Sequence, residues 1–202
     1  MAAAVALSSR PRSSSFWVLL GGGAAFFVLT LAVVVFPTVP GDGTVREWLL
    51  GIATPPVVRT LKVINEAGSW KVLLPASLLL FVAYPRGRRH WWVWGGLMIV
   101  APIAEGLLKI LIGRPRPEDA SMGFPSGHAT AAAAYFGALF YLAKTLPPPT
   151  RSLVRVGAVL TIVLVAMARV ILRAHWPADT LAGIALGLTL ASIAVMVAER
   201  EE

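Results

Sequence analysis

The chain has 202 residues, the length of one domain, but 57% of them are hydrophobic and only 14% are charged, against about 25% in a typical soluble domain. The formal net charge is +8, but the basic residues lie in short connections between apolar blocks, a pattern that does not favour nucleic-acid binding. The absence of cysteine excludes disulfides, thiolate metal sites and a cysteine nucleophile.

An all-α bundle of six transmembrane helices is predicted from the apolar blocks, because the blocks are about as long as a bilayer requires. The first block carries no charged residue, whereas the third carries Glu105 and Lys109 inside its apolar run. The blocks lie at about 16–36, 68–84, 91–113, 127–146, 153–172 and 177–198.

The tract ahead of the first block, residues 1–15, is rich in small residues, and we predict a disordered cytoplasmic segment there. A secretory signal is the alternative interpretation. The block at 16–36 is long for a signal and no A-x-A-like cleavage site follows it, so a retained first helix is favoured. Residues 16–202 then form a single membrane-embedded domain.

The connection between the first two blocks, residues 37–67, is predicted to hold two short amphipathic helices at the membrane surface. Apolar residues such as Trp48 and Leu61 recur through it and are interrupted by Pro55-Pro56. Two interpretations stay open. The segment either caps the bundle or forms a lip for a lipid tail.

Three connections concentrate basic residues, and the positive-inside rule assigns them to the cytoplasm. These residues are Arg10 and Arg12, then Arg86, Arg88 and Arg89, then Lys144, Arg151 and Arg155. The connections 37–67, 114–126 and 173–176 fall on the opposite side. We therefore predict a plasma (inner) membrane protein with a cytoplasmic N-terminus and with its polar motifs on the periplasmic or extracellular side.

A first polar cluster, Lys109 with Arg116-Pro117, lies at the end of the third block. Pro115 disfavours helical geometry at Arg114, so the helix is expected to end there and to leave both cations in one loop. Taken alone, the pair is weak evidence for a functional site, because lysine and arginine side chains near helix ends often only extend toward water.

A second cluster, Pro125-Ser126-Gly127-His128, stands directly before the fourth block. Ser126 is a natural N-cap, and Gly127 lets backbone amides approach a ligand closely. The start of a helix offers unpaired N–H groups and partial positive charge to an anion. His128 would stand beside that anion and could protonate a leaving oxygen. The alternative is a capping turn with an incidental histidine.

The third cluster, Arg169 with His175 and Asp179, straddles the turn into the sixth block. Pro177 suits a first helical turn, so His175 precedes the helix and Asp179 lies within its first turn. Four residues of separation allow the carboxylate to reach one imidazole nitrogen, which leaves the other nitrogen free to attack. A His–Asp pair that only caps a helix is the alternative.

The three clusters together resemble the type 2 phosphatidic acid phosphatase superfamily of integral membrane lipid phosphatases. That family's pattern is a lysine, six residues and Arg-Pro; then Pro-Ser-Gly-His; then Ser-Arg, five residues, His, three residues and Asp. Here the stretches read KILIGRPRP, FPSGHAT and ARVILRAHWPAD, in the family's order. The motifs cover roughly Lys109 to Asp179, and the helix layout covers the remainder.

The resemblance implies that His175 is a nucleophile that forms a phosphohistidine, with Asp179 supporting it and His128 acting as the general acid. It implies no metal ion and no cofactor. The groups that would hold the phosphoryl oxygens are Lys109, Arg116, Ser126, Gly127 and Arg169. Fixed cations and a helix N-terminus can supply the charge stabilisation that a metal otherwise gives.

One position departs from the family pattern, since Ala168 stands where a serine is expected before Arg169. The lost hydroxyl contact is expected to weaken phosphate binding by about 1 kcal/mol. Three further charges are accessory candidates. Glu105 lies one turn before Lys109 and is expected to pair with it, or to make a structural helix contact instead. Arg114 and Arg173 are candidates for binding a second phosphate, with interfacial anchoring as the alternative.

The leading hypothesis is a metal-independent lipid phosphatase at the outer membrane face, acting on an isoprenyl diphosphate such as the undecaprenyl carrier of cell-wall biogenesis. Phosphatidylglycerophosphate or phosphatidate, which belong to phospholipid metabolism, are alternative substrates. A lipid phosphotransferase is a second enzyme hypothesis. A non-catalytic lipid binder or transporter is disfavoured, because it would need the cations but not the two histidines. The expected partners are the lipid substrate and the bilayer, and the oligomeric state stays open.

Overall fold

The computed structural model describes residues 13–36, 38–84 and 88–200, and the regular secondary structure in these ranges is helical. Residues 1–12 of the predicted disordered segment lie outside the described residues. So do Arg10, Arg12 and Arg86 of the topology prediction.

The described helices follow the predicted blocks closely. We number them α1 Ser14–Val35, α2 Asp42–Gly51, α3 Pro55–Asn65, α4 Trp70–Ala83, α5 Trp91–Ile112, α6 Gly127–Leu142, α7 Pro148–Ile171 and α8 Pro177–Arg200. Short 3₁₀ turns, Glu66–Gly68 and Ala143–Thr145, stand before α4 and after α6.

Four helices of the described ranges are long and apolar enough to cross a membrane, namely α1, α5, α7 and α8. The other two predicted spans are shorter, since α4 has 14 residues and α6 has 16. At about 1.5 Å per residue neither reaches the roughly 30 Å of a hydrocarbon core. The all-helical class is confirmed, whereas a six-span bundle stays a prediction.

Helices α6 and α8 approach each other closely because small residues line their contact. A Cβ atom on Gly183 of α8 would lie 2.6 Å from the carbonyl oxygen of Ser126, and Gly187 is crowded by the backbone of Thr130 in the same way. Small residues four apart are a common means of bringing membrane helices together. The starts of α6 and α8 therefore lie side by side, and the Ser126 amide donates to the Asp179 carbonyl at 2.9 Å.

The two short helices predicted between the first spans are confirmed as α2 and α3. They pack on the end of α7, where Leu49 and Leu61 join a buried apolar cluster with Ala168, Val170 and Ile171. Ala168 is fully buried in that cluster. This packing holds α2 and α3 over the end of the bundle that carries the three polar clusters.

Candidate active site

The three polar clusters meet at one end of the bundle. Lys109 lies in the last turn of α5 and Arg169 in the last turn of α7, while His128 and Asp179 lie in the first turns of α6 and α8. Lys109, Arg169 and His175 are close enough to His128 for their charges to act on it. Helix ends thus gather side chains that are far apart in the sequence.

The segment after α5 folds back as a small hairpin. Gly113 ends the helix in the left-handed region with φ of 64°, and its amide donates to the Lys109 carbonyl at 2.9 Å. The Gly123 amide then donates to the Arg114 carbonyl at 2.7 Å. A Cβ on Gly123 would lie 3.0 Å from Asp179 Oδ2 and 3.3 Å from Arg116 Cγ. The hairpin therefore places Arg116 beside the first turn of α8.

Ser126 stands at the N-cap position of α6, as predicted, but its hydroxyl makes no capping hydrogen bond. The residue is fully buried, and its Oγ has no hydrogen-bond partner within the described part of the chain. The Phe124–Pro125 peptide bond, one residue earlier, is cis. The Ser126 hydroxyl is thus available to a ligand at the helix start.

His175 and Asp179 form a buried pair, with side chains 1% and 0% exposed. His175 Nδ1 lies 3.5 Å from Asp179 Oδ2, longer than a good hydrogen bond, although catalytic contacts are often long before a substrate is bound. The Trp176 amide also donates to Oδ2, at 3.1 Å. Because Nδ1 faces the carboxylate, Nε2 is the ring nitrogen left free to attack.

Burial lowers the pKa of His175 to about 4, and the charges of Arg169 and Arg116 act in the same direction while Asp179 opposes them. The imidazole is therefore neutral near pH 7, which is the form that a nucleophile requires.

The lowered pKa of His175 predicts a pH-dependent stability. An unfolded chain has a histidine pKa near 6.5, so the contribution is fully present above about pH 6.5 and is lost as the pH falls toward 4. We expect the thermal unfolding temperature of the detergent-solubilised protein to fall across this window, and to fall less in His175→Asn. An equal fall in both proteins would contradict the assignment.

Unpartnered polar atoms gather around His175. Arg169 donates from Nη1 to Asn65 of α3 at 3.2 Å, which fixes the guanidinium from the membrane-surface segment. Buried polar atoms normally have hydrogen-bond partners, and exceptions call for an explanation. Among the buried atoms of this cluster, those without a partner in the described residues include Arg114 Nε, Arg116 Nε, Ser126 Oγ, Arg169 Nε and His175 Nδ1.

Glu105 pairs with Lys109 one turn later on α5, as the spacing predicts. Its carboxylate also lies against the start of α6, since a Cβ on Gly127 would be 2.8 Å from Glu105 Oε1. Glu105 therefore positions the ammonium next to the Gly127 backbone.

Arg114, an accessory candidate for a second phosphate, is buried between two carboxylates. It is 5% exposed, and its two terminal nitrogens lie 2.6 Å from Asp179 Oδ1 and 2.6 Å from Asp42 Oδ2. Both ends of the guanidinium are thus occupied, which favours a positioning role over the binding of a second phosphate. Sequence reasoning missed Asp42 as a site residue, although an aspartate between two glycines at a helix start was a visible signal.

Arg173 lies at the solvent-exposed mouth of the site. Its guanidinium donates to Glu118 at 2.9 Å, and Arg46 of α2 binds the same carboxylate oxygen at 2.5 Å. The hydrogen bond from Arg173 lowers the pKa of Glu118. Arg173 is 59% exposed along its side chain, so it can still reach an anion at the entrance.

Residues 90–201 match the PAP2 superfamily. The chain is 34% identical over 134 residues to decaprenylphosphoryl-5-phosphoribose phosphatase of Mycobacterium tuberculosis, covering 61% of this chain and 68% of that protein. It is 27% identical over 179 residues to phosphatidylglycerophosphatase B of Bacillus subtilis, covering 82% and 87% of the two chains.

The fold is similar to a solved structure, the transmembrane PAP2-type phosphatidylglycerolphosphate phosphatase from Bacillus subtilis. The TM-score is 0.82 at 25% sequence identity, over 92% of this chain and 98% of that one.

Proposed function

Because the chain belongs to the PAP2 superfamily of membrane lipid phosphatases and is a phosphoric ester hydrolase, we propose that it releases phosphate from an isoprenyl-linked phosphate, with undecaprenyl diphosphate as the first candidate. The reaction passes through a phosphohistidine at His175 and needs no metal ion.

The observation that carries the proposal is the set of unpartnered polar atoms beside the buried His175–Asp179 pair. Arg116 and Arg169 each have a buried Nε without a hydrogen-bond partner in the described ranges. The buried Ser126 hydroxyl also has no hydrogen-bond partner there. A phosphoryl group offers acceptor oxygens that match guanidinium and hydroxyl donors. These donors and the α6 N-terminus supply a fixed field for the charge of a phosphoryl transition state.

In the first step, His175 Nε2 attacks the phosphorus atom and the P–O bond to the leaving group breaks. His128 gives its proton to the leaving oxygen, which is a phosphate oxygen in a diphosphate substrate and an alcohol oxygen in a monoester, so this oxygen departs protonated rather than as an anion. Asp179 accepts a hydrogen bond from the Nδ1–H group and stabilises the positive ring.

In the second step, a water molecule attacks the phosphohistidine and the P–N bond breaks. His128, now neutral, takes one proton from that water as it becomes bound to phosphorus. The products are inorganic phosphate and the free imidazole of His175, so the starting state is restored.

An apolar groove between α4 and α5 is the proposed place of the lipid tail. The groove has a volume of about 580 Å³ and is lined by Trp70, Leu74, Ser77, Leu78, Gly95, Met98, Ile99, Pro102 and Ile103. The Trp70 end of the groove lies near the site, because Trp70 follows Gly68 by two residues and a Cβ on Gly68 would lie 2.8 Å from the His128 carbonyl oxygen. Pro102 stands one turn before Glu105. A tail in this groove leaves its phosphate at the cation cluster.

The isoprenyl preference is supported by the relative that is named for a decaprenyl-linked substrate. Phosphatidylglycerophosphate is the second candidate, supported by the relatives of that name, which match most of the chain. The cations and the helix start recognise the phosphate and not the tail, so both substrate classes fit the same chemistry.

The proposed orientation of the protein in the membrane follows from basic residues at the opposite end of the bundle. There Arg89 and Lys144 line a common cavity with Glu199, and the positive-inside rule places such basic residues in the cytoplasm. The proposed site then faces the periplasmic or extracellular side of the plasma (inner) membrane.

The proposed function is tested by phosphate release from a lipid panel by the detergent-solubilised protein, with and without EDTA. The panel contains undecaprenyl diphosphate, phosphatidylglycerophosphate and phosphatidate. We expect turnover that EDTA does not change and that is fastest with the isoprenyl substrate. Faster turnover of phosphatidylglycerophosphate would select the second candidate. Transfer of phosphate to a sugar or lipid acceptor would indicate a phosphotransferase, and binding without turnover would indicate a carrier.

Blocking the deep part of the groove is expected to discriminate against long tails. Gly95 lines the groove, and a Cβ there would meet nothing within 4 Å, so the side chain of Gly95→Phe starts in open space. It lies seven residues from Pro102, about 10 Å along the helix. We expect KM for undecaprenyl diphosphate to rise about tenfold through lost apolar contact, while kcat/KM for a water-soluble aryl phosphate stays unchanged.

Gly96→Phe is the matched control for Gly95→Phe. Gly96 also has open space at its Cβ position, but it lines a different surface of α5. An equal rise of KM in both variants, or no rise in Gly95→Phe, would rule out the groove as the tail site.

A further inference from the structure

We propose that Asp42 and Arg114 are positioning residues for the proposed nucleophile, acting through a buried bridge that holds the Asp179 carboxylate. This inference rests on the proposed function. We call the three residues the Asp42–Arg114–Asp179 bridge.

The bridge is built from three separate parts of the chain. Asp42 begins α2, Arg114 lies in the hairpin after α5, and Asp179 lies in the first turn of α8. The Nη1 atom of Arg114 lies 2.6 Å from Asp179 Oδ1, and its Nη2 atom lies 2.6 Å from Asp42 Oδ2. No side chain of the three is more than 3% exposed. Removing charges from water is costly, so a bridge of this kind is retained where it has a further use.

Both carboxylate oxygens of Asp42 help to fix the start of α8, one directly and one through Arg114. Its Oδ2 atom binds Arg114, and its Oδ1 atom accepts a hydrogen bond from the Ala178 amide at 2.7 Å. Ala178 directly precedes Asp179, so the backbone and the side chain of the catalytic carboxylate are both anchored to α2. A carboxylate from another helix here satisfies an amide that the first turn of a helix leaves unpaired.

The bridge also decides which oxygen of Asp179 faces His175. Arg114 takes Oδ1, and this leaves Oδ2 for the Trp176 amide and for Nδ1 of His175. Arg114 further lies over the Trp176 ring, with its Cζ atom 5.6 Å from the ring centroid. A carboxylate fixed at one oxygen has little freedom to rotate away from the imidazole.

The formal charges suit a histidine that becomes positive during the reaction. Two carboxylates and one guanidinium leave the bridge with one net negative charge. Attack by Nε2 leaves one positive charge on the His175 ring, directly beside it. Without Arg114 two negative charges would face the ring, and without Asp42 the bridge would be neutral.

The test compares single variants in a kinetic assay with a water-soluble aryl phosphate, so that lipid identity does not enter. We expect Asp42→Ala to lower kcat by about 10- to 100-fold, as removal of a carboxylate behind a catalytic group typically does. KM and inhibition by inorganic phosphate should change less than about twofold, because Asp42 is placed behind Asp179 and not against the phosphate.

Arg114→Lys keeps the positive charge but replaces a two-ended donor with a point charge, so it is expected to lower kcat as well. Asp42→Asn, which keeps an acceptor for the Ala178 amide, should recover part of the loss seen in Asp42→Ala. Glu47→Gln is the matched control, since Glu47 is an exposed acid on the same helix, and its kcat should equal that of the wild type.

Wild-type kcat in Asp42→Ala would overturn the positioning role. So would a parallel loss of kcat, phosphate inhibition and unfolding temperature that Asp42→Asn does not reverse, because that pattern describes a purely structural tie. If Asp42→Ala does not fold, Asp42→Asn and Arg114→Lys are measured instead, with the same expectation that kcat falls while KM stays nearly unchanged. Failure of the proposed function itself is distinct, because the wild type would then release no phosphate.

Discussion

His175→Ala is expected to abolish phosphate release, with kcat lowered by about 10⁴-fold or more, the scale on which enzymes respond to loss of a nucleophile. The proposed reaction has no other route to a covalent intermediate, and the buried His175–Asp179 pair is the part of the site that supplies one. The measurement is phosphate release from undecaprenyl diphosphate, together with quenching in alkaline detergent to trap labelled protein, because a phosphohistidine is stable to alkali but not to acid.

The wild type should yield an acid-labile phosphoenzyme after quenching, and His175→Ala should yield none. His90→Gln is the control among the chain's 3 histidines, because His90 lies at the opposite end of the bundle beside Lys144. Labelled phosphoenzyme or substantial turnover in His175→Ala would show that another group is the nucleophile.

His128→Ala is expected to lower kcat by about 10²- to 10⁴-fold, the range for loss of a general acid. The size of the loss should depend on the leaving group. A lipid alkoxide or phosphate ester oxygen needs a proton, whereas an activated aryl phosphate leaves readily without one. The loss of kcat/KM, which reports the first step, should therefore be much smaller with the aryl phosphate.

The second half of the reaction gives His128→Ala a separate signature. Loss of the base that activates water should slow hydrolysis of the phosphohistidine, so the aryl substrate should produce a burst followed by accumulated phosphoenzyme. Equal losses of kcat/KM with lipid and aryl substrates and no burst would show that His128 binds phosphate rather than transferring a proton.

Local sequence was sufficient to predict the helix ends that carry the site. Gly113 ends α5 through a left-handed backbone, and Pro177 begins α8 at the first helical position. These signals act over a few residues, so they could be interpreted without knowledge of the fold. The His175–Asp179 pair follows for the same reason, because its two members are four residues apart on one turn.

Two supports of the site depend on contacts between distant residues. Asp42 and Arg114 are 72 positions apart, and Asn65 and Arg169 are 104 apart. Nothing in the charge pattern of residues 37–67, which holds three basic and three acidic residues, pairs these side chains. The pairing arises because α2 and α3 pack on the end of α7 and bring their polar side chains over the site.

The lengths of two helices also could not be predicted fully from the sequence. The apolar blocks at 68–84 and 127–146 predicted ordinary spans, but 3₁₀ turns at Glu66–Gly68 and Ala143–Thr145 leave α4 and α6 shorter. Hydropathy records which residues avoid water, and it does not record where a helix tightens.

A helical membrane protein and the chemical groups of a phosphate site could be predicted from the sequence alone, because hydropathy and helix-end signals are local properties. The partners of Arg114 could be seen only in the tertiary structure, since a solvent-facing loop would have left this side chain free for a second phosphate. Burial between Asp42 and Asp179 commits both ends of its guanidinium, since a buried charge is retained only with its partners. The groove between α4 and α5 that is proposed to receive the lipid is likewise visible only in the tertiary structure.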